Sequence, residues 1–278
     1  MLKPLGGSDD EMITVFEPVL QHFDKIEDDQ FELPVISDLD SFLTAKLLYD
    51  AARLSFRQVS GPFRCMGKLS FRPRSYQLVP LIMALKQSVT RILIADDVGV
   101  GKTIEALLIL RELIERGTVK SFAVLCPPHL CEQWQRELAD KLDIEAVIIR
   151  SSTAAGLERK IVGDYTLNAF NYYPYQVVSI DYVKKGSKKM PAFLKDIPDL
   201  VIVDEAHTCT KNLDFKKASQ SQLRYELLEE VRKNDQQHLI LLTATPHSGK
   251  DGEFKSLLGL VDTEFENFDF TNLVLSEK

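Results

Sequence analysis

The stretch RILIADDVGVGKTIEALLIL, residues 91–110, sets two aspartates, two glycines and a Lys-Thr pair between apolar segments. Those residue types in that order suit one task. A strand that ends in a tight turn and opens a helix aims several backbone N–H groups at one point, and the helix dipole adds positive potential there. Such a turn holds phosphate. Gly99 and Gly101 let the backbone approach the anion with no Cβ in the way. The Lys102 ammonium can reach β- and γ-phosphates, and the Thr103 hydroxyl is suited to ligating magnesium. The strict pattern GxxxxGK[ST] wants glycine where Asp96 stands. A glycine-containing strand–helix turn with a chance Lys-Thr pair is the plain alternative.

A second element narrows the choice. LVIVDEAH, residues 200–207, is an apolar strand ending in adjacent acids. Phosphoryl transfer to water needs a metal over the β/γ oxygens and a group that positions the water. Asp204 suits the metal and Glu205 the water. Both acids share one strand tip, about 100 residues after Lys102, where neighbouring strands can turn them to the same phosphates. A merely solvated acidic pair would need no cradle upstream.

These groups need a scaffold, and the hydropathy pattern supplies one. Short apolar runs recur at 91–95, 122–126, 146–149, 177–180, 200–203 and 238–242. Continuously apolar strands belong in a parallel sheet covered on both faces. Helix-like segments lie between them. In 130–142, Leu130, Trp134, Leu138 and Leu142 recur every four residues, and Gly117 is placed to end a helix over 104–116. The alternation predicts a doubly wound α/β domain with a mainly parallel central sheet and helices on both faces. Loops are expected at 151–175 and 184–198. Upstream, residues 1–36 read as extended strands or ordered loop. Residues 37–56 read as a helix capped by Asp38, with a Leu43, Leu47, Leu48 and Leu54 stripe, ended by Gly61-Pro62.

Charge is uneven. The chain carries −7 overall, but residues 1–40 hold Lys3 and Lys25 against eleven acids, which is −9 and leaves +2 for 41–278. The acidity belongs to the N-terminal segment and says little about the main domain's surface. No apolar run approaches the roughly 18 residues of a membrane span. The N-terminus lacks a basic-then-apolar signal pattern, so a cytoplasmic location is expected. Cys65, Cys126, Cys131 and Cys209 form no CxxC pair and read as buried reduced thiols. Cys126, His129 and Cys131 lie close together, without the spacing of a zinc knuckle.

DEAH, VGVGKT and LLTATPHSG together resemble the superfamily-2 helicase-like ATPases, in the Swi/Snf-type branch, and within it the bacterial RNA-polymerase-associated remodelling ATPases. In that branch motif I begins with an acid, so Asp96 fits. The resemblance spans about 70–262. It implies a RecA-like P-loop lobe that binds ATP and Mg2+ and works on nucleic acid, double-stranded DNA above all. RPRSYQ resembles the adenine-recognition motif, with Gln77 on the adenine edge and Arg74 and Tyr76 beside it. Asp97, Val98, Gly99, Val100, Gly101, Lys102, Thr103 and Ile104 fall on motif I, with Thr103 and Asp204 toward the metal. CPPHLCEQWQREL resembles motif Ia, a backbone-contacting element, with Pro128, His129 and Gln133 as candidates and Trp134 assigned to the core. SIDYV, 179–183, resembles the next strand-end motif. Asp204, Glu205 and His207 fall on motif II as catalytic candidates beside Lys102. Thr243 and Thr245 fall on motif III, which couples hydrolysis to lobe movement. Lys184 and Lys185, with Lys188 and Lys189, make either a solvated loop or a phosphate contact.

The resemblance divides the chain into an acidic extension, 1–70, open to a protein partner, and a first motor lobe, 71–278. Only 32 residues follow Pro246, and a second lobe needs on the order of 150. That lobe would supply the arginines completing the ATP site, so this chain is expected to bind ATP and turn it over very slowly. Two other functions compete. An ATP-dependent switch or adaptor would need no second lobe, and a small-molecule kinase would use the cradle but leave DEAH and TATP without a role.

Overall fold

In the computed structural model, residues 46, 63–97, 99–161, 167–184, 189–211, 220–244 and 251–267 are described. The apolar runs become six strands: β1 Arg91–Ile94, β2 Phe122–Cys126, β3 Val147–Ile149, β4 Tyr175–Ser179, β5 Leu200–Val203 and β6 His238–Leu242. Every pairing among them is parallel, in the order β1-β6-β5-β2-β4-β3. Parallel neighbours need crossovers, and helices provide them. They are α1 Leu78–Leu85, α2 Lys102–Arg116, α3 Cys131–Leu142, α4 Ala154–Glu158, α5 Ala169–Tyr172, α6 Ile180–Val183, α7 Lys189–Lys195, α8 Gln220–Arg232 and α9 Asp251–Val261.

Side chains on a strand alternate between faces, and the two faces carry two cores. Phe122, Val124 and Cys126 of β2 pack with Leu107, Trp134 and Leu138 from α2 and α3. Ala123 and Leu125 pack with Phe193, Leu228 and Leu260 from α7, α8 and α9. Each face is covered, so neither needs polar residues. This is the doubly wound α/β arrangement expected from the runs.

Helix ends follow local chemistry. Gly117 takes φ 75°, and its N–H reaches the Ile114 carbonyl, closing α2 with a left-handed residue. Trp134, Leu138 and Leu142 make the buried stripe of α3, while Leu130 lies in the 3-10 turn just before it. The spans expected as loops contain α4, α5 and α7. Asn168 caps α5 by accepting from the Phe170 and Asn171 N–H groups, and its own N–H donates to the Asn171 side chain. Phe193 anchors α7 in the core, edge-on to Phe170 at 5.5 Å. Local capping and one buried aromatic thus order segments whose periodicity is too short to read. No described helix is long and apolar enough to cross a membrane.

The expected elements at 1–36 and 37–56 lie outside the described residues, except Lys46, which is helical. Residues 63–71 pack on the core, and Cys65 is fully buried. The Cys65 N–H donates to the buried Glu112 carboxylate at 2.8 Å, and Arg116 pairs with the same side chain at 2.7 Å. Burial pushes the Glu112 pKa up, but the Arg64 and Cys65 N–H groups and Arg116 outweigh it and hold the pKa below its ordinary value. Glu112→Ala should therefore cost about 2–3 kcal/mol, by stripping the buried Cys65 N–H of its acceptor. Chemical denaturation measures the loss, and hydrogen exchange at Cys65 localises it. Because the folded pKa is depressed, the parent's advantage over Glu112→Gln should be full above the ordinary value of 4.5 and fade as pH falls below it.

Candidate functional site

All six strands point the same way, so their carboxyl ends share one edge of the sheet. Ligands of open parallel sheets bind along that edge. Strand β6 sits between β1 and β5. The tips of β1 and β5 are therefore two strand spacings apart, roughly 10 Å. The turn carrying Lys102 leaves β1, and Asp204 and Glu205 leave β5.

The turn after β1 is shaped by its glycines. Gly99 takes φ 86° and Gly101 φ 105°, both left-handed, and Gly101 caps α2. A Cβ on Gly101 would meet Gln77 Nε2 at 2.5 Å. Glycine at 101 thus serves both the left-handed backbone and the close approach of the Gln77 amide, which bonds the same turn at Val100. Lys102 Nζ donates to the Asp96 and Asp97 carbonyls, each at 2.8 Å. Thr103 is half-buried at the helix start, and Ile104 packs on the core. Val98 lies outside the described residues.

The adenine-motif candidates brace this turn. Gln77 is buried; its Nε2 donates to the Val100 carbonyl at 3.2 Å and its Oε1 accepts the Arg74 N–H at 3.0 Å. The Tyr76 hydroxyl donates to the same carbonyl at 3.1 Å, and Arg74 Nη1 stands 3.5 Å from that hydroxyl. An apolar groove of about 470 Å³ opens beside them, lined by Tyr76, Val79, Met83, Ile94 and Val100.

At the β5 tip, both oxygens of Asp204 are tethered. Oδ2 accepts the Trp134 indole N–H and Oδ1 accepts the Glu205 N–H, each at 2.8 Å. The Asp204 N–H is anchored to the Leu125 carbonyl at 2.9 Å. Glu205 takes φ 52°, a costly conformation for a residue with a Cβ. His207 Nδ1 lies 3.1 Å from Glu205 Oε2 and 3.3 Å from Thr243 Oγ1. With a proton, that nitrogen donates to the carboxylate; without one, it accepts the hydroxyl. The Thr243 N–H also bonds the Ile94 carbonyl at 3.0 Å. Thr243 thus ties the end of β1 to the acids after β5. Thr245 lies outside the described residues.

The donor set suits magnesium. This cation takes one or two carboxylates plus phosphates and keeps several waters. The tethered Asp204 oxygens still have lone pairs to offer. Among the described residues no three-residue metal cluster occurs, and the four cysteines are buried free thiols. Cys126 and Cys131 stand 3.7 Å apart, sulfur to sulfur.

Of the nucleic-acid candidates, Pro128, His129 and Gln133 are exposed just past β2, on the same edge. Lys184 is not. Its side chain is 2% exposed, and Nζ pairs with Asp181 at 2.7 Å and Gln220 at 2.9 Å. Arg224 joins the same carboxylate at 2.7 Å. The expected phosphate contact is corrected to a buried ion pair, because Asp181 and α8 draw the ammonium inward. Lys185 and Lys188 lie outside the described residues, and Lys189 sits over the Tyr182 ring at 3.5 Å.

Two residues escaped the sequence reading. Trp134 reaches the site through its indole N–H, which apolar periodicity does not register. Glu105 is fully buried one turn into α2, beside the Asp96 carboxylate. Burial, then the nearby Asp96 carboxylate, push its pKa up to about 7 against the pull of Lys102. An acid raised on folding opposes folding as pH climbs from its unfolded pKa to its folded one. Glu105→Gln should therefore stabilise the fold by on the order of 2 kcal/mol at pH 8 and by little near pH 4.5, as read by thermal melts across that range.

Comparison with known proteins gives the family. The SNF2-related domain profile matches residues 76–270. The RNA polymerase-associated protein RapA of Actinobacillus pleuropneumoniae serotype 3 (strain JL03) is 28% identical over 235 residues, covering 84% of this chain and 23% of that protein. The uncharacterized ATP-dependent helicase YqhH of Bacillus subtilis (strain 168) is 32% identical over 197 residues, 69% of this chain and 30% of the relative. The chain thus spans less than a third of these curated relatives. The Sulfolobus solfataricus SWI2/SNF2 ATPase core in complex with dsDNA superposes with a TM-score of 0.52 at 16% identity, over 70% of this chain and 36% of that one. That likeness establishes the RecA-like fold. With the profile covering most of its length, the chain belongs to the SNF2-related family of helicase-like ATPases.

Proposed function

We propose that this chain is the first ATP-binding lobe of a double-stranded-DNA translocase, and that its acidic N-terminal segment, upstream of the core-packed residues 63–71, is open to a protein partner. One observation carries the reading. The Lys102 turn, the Asp204–Glu205 pair and the Thr243–His207 link converge on one sheet edge, joined through β6. That is the set phosphoryl transfer to water requires.

The residues divide the work. N–H groups of the glycine turn and the start of α2 cradle the phosphates. Lys102 exchanges its two loop carbonyls for phosphate oxygens and balances their charge. Thr103 and Asp204 hold magnesium, which when bound neutralises the phosphate oxygens. Glu205 orients the attacking water and accepts its proton. His207 and Thr243 pass the state of that carboxylate to β6. Pro128, His129 and Gln133 meet the nucleic-acid backbone. The relative named for association with RNA polymerase favours a duplex bearing bound protein as the parent's substrate.

An arginine from outside the lobe is worth roughly 10³–10⁵ in rate in related phosphoryl transfer. The purified chain should therefore bind ATP in a Lys102-dependent manner and show almost no turnover, with or without duplex DNA. Steady-state hydrolysis beside Lys102→Ala checks this. Robust turnover by the pure chain would refute the incomplete-motor reading, and binding indifferent to Lys102→Ala would refute the cradle. His129→Glu with Gln133→Glu should weaken duplex binding in fluorescence anisotropy while leaving ATP affinity unchanged.

A further inference from the structure

Trp134 is the single tryptophan of the chain, and it is 2% exposed. Its place on the second turn of α3 accounts for its burial but not for its chemistry. A leucine or phenylalanine would fill a core position without burying an N–H group that must find an acceptor. Here the acceptor is Asp204 Oδ2, at 2.8 Å. The other oxygen is held by the Glu205 N–H, and the residue's own N–H by Leu125.

We infer that Trp134 is a positioning residue for the metal-binding carboxylate, an inference that rests on the nucleotide-site reading above. Three features of the indole suit the task. It is donor-only, so it cannot turn and accept from a metal-bound water. It is neutral, so it fixes Asp204 without cancelling the charge that attracts the cation, as lysine or arginine would. Its ring is buried in the core cluster that it shares with Phe122, Val124 and Cys126 of β2, so burial restricts the direction of the N–H. Outer partners of this kind orient a ligand, and their loss typically costs 10–100-fold in metal affinity. Trp134 thereby joins the strand-end element CPPHLCEQWQREL to the acids of DEAH by a direct bond. A shift of α3 then moves the magnesium ligand.

The test is ATP binding by calorimetry on the 278-residue chain, in excess Mg2+ and again in EDTA. Two replacements are compared with the parent: Trp134→Phe, and benzothienylalanine at position 134, which keeps the bicyclic shape and swaps the N–H for sulfur. Both should lose roughly tenfold in affinity with Mg2+ and stay within about twofold in EDTA. The isostere guards against reading a packing defect as a lost bond. Parent tryptophan emission should shift when Mg2+ joins ATP, and Asp204→Asn should abolish the shift. An isostere that keeps the full Mg2+ advantage would overturn the positioning role and leave the nucleotide site standing. A parent with no Lys102-dependent ATP binding in either buffer would bring down the nucleotide-site reading, and this inference with it.

Discussion

The backbone hydrogen bonds holding β6 between β1 and β5 decide where each candidate group stands. Register runs Ile94 to Leu242 on one side and Val203 to Leu241 on the other. One residue further, the Thr243 N–H closes on the Ile94 carbonyl. The lysine turn and the acid pair start from tips locked to a common strand, so their separation cannot drift. A slip of one residue in either pairing would turn the apolar faces of β6 from core to core and carry Thr243 away from His207. The same bonds that complete the sheet therefore set the spacing of the candidate groups.

Charge is the second constraint. Asp96, Asp97, Glu105, Asp204 and Glu205 all gather near this edge, and the Lys102 ammonium is bonded to carbonyls. A polyphosphate entering alone would face like charge in a partly desolvated place. In the proposed reading, magnesium would change the balance, arriving with the phosphates at a carboxylate whose oxygens are already tethered. Helix α2 contributes its N-terminal dipole in the same direction.

Much of this was legible because the physics is local. Continuous apolar runs identified all six strands, since a strand covered on both faces has no polar side to show. Gly117 marked the end of α2 for the same kind of reason: only a left-handed residue could close it. The failures share a cause too. Lys184 looked like a basic surface residue, and only the fold brings Asp181 and Gln220 to it. Trp134 fell in a four-residue stripe and was assigned to the core; that was right for its carbon atoms and silent about its nitrogen. Glu105 sits among apolar neighbours without a sequence partner to betray its burial. Pairings across dozens of residues leave no periodic trace, and they are what distinguish a buried ion pair from a solvated loop.

The topology also dictates when the site can exist. Thr90, beside β1, meets His238 across 148 residues of chain, and β6 is the partner of β1 among the described strands. On a ribosome, β1 emerges early and must wait for nearly the whole domain before its neighbour is made. Strands β2, β4 and β5 can assemble in the interval. Closing the long loop back to β1 is a late and entropically costly event. The phosphate turn, hung from the end of β1, is then among the last features to be organised. Nucleotide binding would report completed synthesis of the lobe rather than the appearance of its motif.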